Sequence, residues 1–264
     1  MNKLTDNAAV VSNDRILENA GLFDMVLECP EIAKTAEPGQ IVHVYCGEGT
    51  TLRRPISICE TFDGKFVRLC YDLRGKGTKW MSERVPGERI SLLGALGHGF
   101  TYLPGKKALL VGGGIGIYPL LSIGKLYGAD AKALFGFRNV GLVNSTRLFE
   151  KYGIGGRVIT DDGSSGRKGF VTELLTEELK NSDTDIVYVC GPKGMMGACA
   201  KVCAECGVRC EVSMEERMGC GVGACLACVC RTMFVGNDGV KGEKYKRVCV
   251  DGPVFDSKEV IFGD

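Results

Sequence analysis

The sequence lacks an excess of either charge, with 33 Lys and Arg against 32 Asp and Glu. Nothing electrostatic therefore asks for nucleic acid or an anionic membrane surface as a partner. It lacks any run of about eighteen apolar residues, the length that crosses a bilayer as a helix. Its opening, Met1-Asn2-Lys3-Leu4-Thr5-Asp6, is polar and has none of the apolar core of an export signal. Repeats and low-complexity tracts are missing too. These absences lead to the expectation of a soluble, cytoplasmic protein without a membrane or nucleic-acid role. What the sequence does have is cysteine, 14 residues in 264. Disulfide scaffolds of that kind are short secreted chains, so reduced thiols and a metal group are expected instead.

At this length two or three compact units are expected, and the chain reads in three parts. Residues 1–102 carry short alternating apolar runs at 24–28, 40–45 and 65–71, separated by turn signals such as Glu37-Pro38-Gly39, Asp63-Gly64 and Pro86-Gly87. That pattern predicts an antiparallel β-barrel. Residues 103–213 alternate strand candidates (108–111, 133–137, 157–160, 186–190, 209–213) with helical stretches near 117–127, 143–152, 171–179 and 195–206. Strand and helix alternating at this spacing predict a doubly wound parallel α/β sheet. Residues 214–264 are rich in Gly and Cys, with little helical periodicity, and read as a small metal-cluster domain.

Two segments of the first part suit a phosphate. Leu52-Arg53-Arg54-Pro55-Ile56-Ser57-Ile58 sets a guanidinium three residues before a hydroxyl, at the end of an extended run. An Arg fork holds a pyrophosphate bidentately while the Ser bonds a neighbouring oxygen. Leu73-Arg74-Gly75-Lys76-Gly77-Thr78 then opens a helical stretch over 78–84, offering backbone N–H groups. Either piece alone equally describes a solvated strand or a plain turn and cap.

In the second part, strand 108–111 runs into Gly112-Gly113-Gly114-Ile115-Gly116-Ile117-Tyr118-Pro119, a turn whose glycines let backbone approach a dinucleotide phosphate. The spacing from Gly114 is Gly-x-Gly-x-x-Pro, so the third glycine of the usual fingerprint is missing. Phe137-Arg138-Asn139 stands where an acidic ribose partner would be expected, and Thr160-Asp161-Asp162-Gly163 ends the third strand. NAD and NADP are not separated by these residues. Cys190-Gly191-Pro192 closes the fourth strand at the carboxyl edge, where open α/β sheets bind ligands. Cys190 reads either as a thiol at a nucleotide site or as a buried strand end.

The third part holds Cys220-Gly-Val-Gly-Ala-Cys225-Leu-Ala-Cys228 followed by Cys249, the C-x4-C-x2-C…C spacing of plant-type [2Fe–2S] ligation. Structural zinc is the rival occupant, and Cys230 is a conceivable alternate ligand. Cys199, Cys203, Cys206 and Cys210 have metal-like spacing as well. There, Met195, Cys199, Val202, Cys203 and Cys206 share one face of a helix, so packing on the sheet is expected rather than metal binding. Cys29, Cys46, Cys59 and Cys70 fall in barrel strands.

Arg54-Pro55-Ile56-Ser57 resembles the Arg-x-Tyr-Ser flavin motif of the ferredoxin reductase family, with Ile56 in the place of the aromatic that lies on the isoalloxazine. Ala36-Glu37-Pro38-Gly39-Gln40-Ile41-Val42 resembles that family's entry into its second or third barrel strand. Over nearly the whole chain, the order of units is similar to the electron-transfer subunits of type B dihydroorotate dehydrogenases. Leu96-Gly97-His98-Gly99-Phe100, residues 111–119 and 212–225, and Asp251-Gly252-Pro253-Val254-Phe255 carry this likeness, residues 212–225 most specifically.

The resemblance implies FAD on Arg54, Pro55, Ile56, Ser57, Tyr71, Asp72, Leu73, Gly77 and Thr78. It implies NAD on Gly112, Gly113, Gly114, Gly116, Cys190, Gly191 and Pro192, with Cys190 beside the nicotinamide and flavin. It implies a [2Fe–2S] cluster on Cys220, Cys225, Cys228 and Cys249. It further implies a catalytic partner subunit that oxidises dihydroorotate at FMN, from which electrons reach NAD+ through the cluster and FAD. The expected assembly is two of each subunit, serving pyrimidine biosynthesis. A subunit of an NAD(P)H-dependent ferredoxin or sulfide oxidoreductase, and a zinc-stabilised binding module without catalysis, are the alternatives.

Overall fold

A computed structural model describes residues 3–17, 21–236 and 239–263. The N-terminal strands are β1 (Lys3–Leu17), β2 (Leu22–Glu28), β3 (Ile41–Val44), β4 (Arg54–Phe62), β5 (Phe66–Asp72) and β6 (Arg89–Leu96). They close a barrel in the order β1-β2-β5-β4-β3-β6, and every pairing in it is antiparallel. Period-two alternation builds its interior: Met25 and Leu27, Val42 and Val44, and Leu69 and Tyr71 all point into one core. Two short helices, α1 (Pro30–Ala33) and α2 (Lys76–Ser82), interrupt the strands. The segment carrying Arg54 departs from expectation. Arg54 begins β4 instead of ending an extended run, and its guanidinium donates to the Leu52 and Arg53 carbonyl oxygens.

The next strands are β7 (Ala108–Gly113), β8 (Ala131–Phe137), β9 (Gly155–Thr160), β10 (Arg167–Lys168), β11 (Ile186–Cys190) and β12 (Arg209–Ser213), and they run parallel. The helices between them are α3 (Pro119–Tyr127), α4 (Arg147–Glu150), α5 (Val171–Asn181) and α6 (Lys193–Glu205). The stretch read as one helix near 143–152 is a 3₁₀ segment, Val140–Thr146, followed by the single turn of α4. On α6 it is Met196, Cys199 and Cys203 that face the core, whereas Cys206 caps the helix and is exposed. The Cys203 thiol meets Cys210 on β12 within that core, which accounts for this cysteine group by packing.

The C-terminal part adds a hairpin, β13 (Val229–Val235) with β14 (Lys241–Arg247), and one further strand, β15 (Val254–Asp256). β15 pairs antiparallel with β12, so the cluster segment completes the edge of the seven-stranded sheet, β10-β9-β8-β7-β11-β12-β15. It also docks on the outside of the barrel. Ile41 and Leu96 share one core with Met218, Cys228, Val248 and Cys249. At this seam Gly97 has φ +76, and a Cβ there would stand 1.9 Å from the Gly252 carbonyl oxygen.

A charged latch joins barrel and sheet. Glu60 on β4 is buried, bonded to Arg68 on β5, to Lys125 on α3 at 2.5 Å, and to the Tyr152 hydroxyl at 2.7 Å. Burial pushes the Glu60 carboxyl up, but the bonds from Lys125 and Tyr152 outweigh it and hold it below its usual range. Its contribution to stability is therefore complete above the ordinary carboxylate range and lost as pH falls through the depressed value. Glu60→Gln should cost about 1.5–3 kcal/mol at neutral pH and less in acid. Urea melts at the two pH values would show equal losses if Glu60 carried no charge-dependent role.

Candidate functional site

The two barrel segments singled out for phosphate meet in space. Arg54 lies across the first turn of α2, where a Cβ on Gly77 would come 2.6 Å from the Arg54 Nε. Gly77 is thus the gap that lets the guanidinium settle there. The Thr78 hydroxyl is spent locally, accepting from the backbone N–H of Arg74 at 2.8 Å and Gly75 at 3.3 Å. It fixes the Leu73–Gly75 turn. Pro55, Ile56 and Ser57 are half-buried along β4, and Leu73 is exposed. Tyr71 is placed differently: its ring stacks on Phe23 inside the barrel and its hydroxyl donates to Asn13 at 2.9 Å. Its side chain is spoken for by the core. A cleft of about 400 Å³ opens between Gly21, Asp72, Leu73 and Arg74 of the barrel and Asn139, Gly141 and Leu142 after β8.

The two nucleotide segments are also brought together, because β7 and β11 are neighbours with Cys190 opposite Gly112. At Gly113 and Gly116 the turn packs on the end of β11 and the start of α6 with no room for a side chain. A Cβ on Gly116 would lie 2.6 Å from the Cys190 carbonyl oxygen, and one on Gly113 would lie 2.4 Å from the Met195 sulfur. Gly114 takes φ +56 with open space beyond it, as a backbone meant to be approached from outside requires. Burial pushes the Cys190 thiol up to about 12, so it stays protonated at neutral pH. Arg138, Asp161 and Asp162 are exposed at the same edge.

The cysteine loop turns on Gly221 and Gly223, at φ +72 and +79, and on Leu226 at φ +58. A Leu in that region is strained, and no spacing pattern announces it. The turn aims three backbone N–H groups, from Val222, Ala224 and Cys225, at the Cys220 sulfur at 3.3–3.4 Å. Chiefly through the Val222 N–H, these lower the Cys220 thiol to about 6, favouring a thiolate. Cys220 also contacts the Cys225 thiol, and Cys228 contacts Cys249, which burial pushes up to about 12. The thiols thus form two pairs, near enough for the Cys220 charge to act on Cys249. Among the described residues no three Cys, His, Asp or Glu side chains close around a single-ion position. Arg247 braces the loop, bonding Asp251 and the Gly223 carbonyl oxygen. Cys230 is buried in the core, up to about 11 through burial.

One buried side chain was not singled out by sequence at all. His43 on β3 is fully buried, and neither ring nitrogen has a hydrogen-bond partner among the described residues. Burial and the neighbouring Arg53 charge lower it to about 4.

Solved structures share this architecture. One described for an NADH-dependent reduced ferredoxin-NADP oxidoreductase matches at 30% identity and TM-score 0.83, over 98% of this chain and 91% of that one. The ferredoxin reductase of carbazole 1,9a-dioxygenase matches at 21% and TM-score 0.64, over 78% and 67%, which speaks to fold alone. The class is that of ferredoxin reductase-like oxidoreductases. Residues 215–261 match the family described as iron-sulfur cluster binding domain of dihydroorotate dehydrogenase B, and residues 157–201 match the oxidoreductase NAD-binding domain. The dihydroorotate dehydrogenase B (NAD(+)) electron transfer subunit of Caldanaerobacter subterraneus subsp. tengcongensis is 41% identical over 257 residues, covering 97% of this chain and 98% of its own. That of Bacillus cereus strain 03BB102 is 40% identical over 265 residues, with the same coverage.

The chain belongs to the family of dihydroorotate dehydrogenase B (NAD(+)) electron transfer subunits. It is an oxidoreductase subunit for an iron–sulfur cluster, FAD and NAD, working with a catalytic partner subunit. Among the described residues no helix is long and apolar enough to cross a membrane.

Proposed function

We propose that this chain passes electrons from a dihydroorotate-oxidising FMN subunit to NAD+ in the cytoplasm, in a complex of two catalytic and two electron-transfer subunits. We assign residues 1–102 to FAD, 103–213 to NAD and 214–264 to a [2Fe–2S] cluster. The observation that carries this reading is the two-pair arrangement of Cys220 with Cys225 and Cys228 with Cys249, docked on the barrel that bears Arg54. Two thiol pairs suit a two-iron group better than the single tetrahedral point that zinc requires.

Flavin chemistry, when FAD is bound, exchanges electron pairs with a nicotinamide and single electrons with an iron–sulfur group. The chain's residues hold and orient. Arg54, over Gly77, would hold the flavin pyrophosphate, with Pro55, Ile56 and Ser57 flanking it; Asp72, Leu73 and the turn fixed by Thr78 would line the flavin's cleft, and Tyr71 contributes as barrel core. Gly112, Gly113, Gly114 and Gly116 with Cys190, Gly191 and Pro192 receive the nucleotide. Cys190, a neutral thiol at this edge, would lie against the nicotinamide without acting as a base.

Around the cluster loop, Val222, Leu226 and Tyr245 are 51%, 61% and 69% exposed. Apolar side chains of this size in open solvent fit the face that meets the partner. The ferredoxin oxidoreductase alternative rests on lower identity, 30% against 41%.

Co-expression with the FMN subunit should yield a complex that reduces NAD+ with dihydroorotate, while this chain alone does not. A chain that oxidises dihydroorotate unaided, or that never joins the FMN subunit, would contradict the proposal.

A further inference from the structure

His43 stands between two sites that the fold brings together. On β3, Val42 and Val44 fill the barrel core, so the alternation sends Ile41 and His43 outward. Outward here is not solvent. Ile41, with Leu96 of β6, is packed under the cysteine segment, and His43 is 0% exposed. Across the ladder His43 pairs with Pro55, inside the segment assigned to FAD. On its other side lies Gly221, the residue after Cys220: a Cβ there would be 2.7 Å from the His43 Nδ1 and 3.5 Å from its Cε1.

Both ring nitrogens lack a hydrogen-bond partner among the described residues. Leaving a buried polar group unpaired costs about 1–3 kcal/mol, and native interiors pair such groups with protein, water or ligand. The Arg53 guanidinium does not serve, since it donates to the His43 backbone carbonyl oxygen at 3.3 Å and to Ser91. The Arg53 backbone lies near enough to favour the protonated ring, yet is not in hydrogen-bond geometry to either ring nitrogen. Ile41, Leu93 and Leu96, from the same two strands, are apolar. The Nδ1 side of the imidazole faces the loop at Gly221, where the neighbouring Cys220 sulfur already collects three backbone N–H groups. Gly221 keeps that direction clear, because a side chain there would collide with the ring. In either protonation state the imidazole retains an N–H to donate.

We propose that His43 donates a hydrogen bond from the flavin barrel to the sulfur of the iron–sulfur group held by Cys220, Cys225, Cys228 and Cys249, and so raises its reduction potential. The inference rests on the assignment of those cysteines as ligands. Reduction adds negative charge to the sulfurs, so an N–H aimed at them stabilises the reduced form. His43 would then act on the potential from the strand adjoining the flavin segment, without ligating iron.

The test is a redox titration of the holoprotein, followed by the electron paramagnetic resonance (EPR) of the reduced cluster. His43→Leu keeps buried volume and removes the donor. It should shift the one-electron equilibrium between cluster and FAD about tenfold toward FAD, equivalent to about 59 mV for one electron. His43→Gln, which retains an N–H, should recover most of the shift. A His43→Leu protein with full cluster content and an unchanged potential would overturn the proposal. Should His43→Leu fail to fold, wild-type protein labelled with ¹⁵N-histidine decides. The chain has two histidines and the other, His98, is exposed. Pulsed EPR should show a weak ¹⁵N coupling to the reduced cluster, and its absence overturns the inference. A wild-type protein without any cluster signal would instead defeat the ligand assignment, a separate and recognisable failure.

Discussion

Cys225→Ser is expected to remove the iron–sulfur signal and drop electron transfer between the catalytic subunit and the flavin to background, while NADH still bleaches the flavin. The Cys225 sulfur sits over Gly219, where a Cβ would approach to 3.1 Å, and it receives the Cys220 backbone N–H at 3.4 Å. Among the described residues no neighbouring thiol is placed to replace it. Cys230 is turned into the core, and Cys199, Cys203 and Cys210 are packed between α6 and the sheet. Serine is a harder, more basic ligand than thiolate and is neutral at working pH, so the two-pair set is broken. Cys230→Ser and Cys199→Ser should keep the signal. Iron and labile sulfide content with visible absorption checks all three, and an intact cluster in Cys225→Ser would refute the ligand set.

The second large effect belongs to Gly116→Ala. Its new methyl would lie 2.6 Å from the Cys190 carbonyl oxygen, 2.7 Å from the Gly191 Cα and 2.8 Å from the Cys190 carbonyl carbon. All three are backbone atoms at the end of a strand held in the sheet interior, so no side chain can rotate aside. The glycine turn must lift from Cys190–Pro192, moving both nucleotide segments relative to the flavin barrel. A misplacement of that order costs roughly 100-fold in rate. NADH-driven flavin bleaching should slow accordingly, while the cluster still reduces chemically with dithionite. Gly194→Ala, with nothing within 4 Å of its Cβ, is the matched control and should be silent. Stopped-flow absorbance of the flavin reads both, and equal rates in the two variants would remove the glycine turn from the nucleotide site.

Several elements could be read from the residues because one local cause dominated each. Strand β11 is a continuous apolar run and β12 alternates Cys210 and Val212 with polar residues, both bounded by turn chemistry, and the structure gives the same limits, Ile186–Cys190 and Arg209–Ser213. The cysteine spacing and its glycines report a tight loop because few backbones other than positive-φ glycine make one. The pairs that define the sites across the chain had no such local signature. Arg54 and Gly77 are distant in sequence and meet only when α2 folds back on β4. His43 reads as an outward polar residue on an amphipathic strand, and only the docking of the cysteine segment turns outward into buried. Glu60 is hidden in the same manner, as its partners Lys125 and Tyr152 come from the α/β sheet's connections. Leu226 at positive φ could not be anticipated, since its conformation is imposed by the loop around it. The helix expected over 143–152 breaks because its 3₁₀ start, capped by Asn139, satisfies the backbone before α4 begins.

The central claim is that one folded chain couples a nicotinamide-reducible flavin to a two-iron cluster on Cys220, Cys225, Cys228 and Cys249. Anaerobic addition of NADH to the purified protein, followed by low-temperature EPR, tests it most directly. The account predicts that the flavin absorption bleaches and the signal of a reduced [2Fe–2S] cluster appears in the same sample. A colourless protein that contains zinc, or a flavin that bleaches while no cluster signal can be raised by NADH or dithionite, would contradict it.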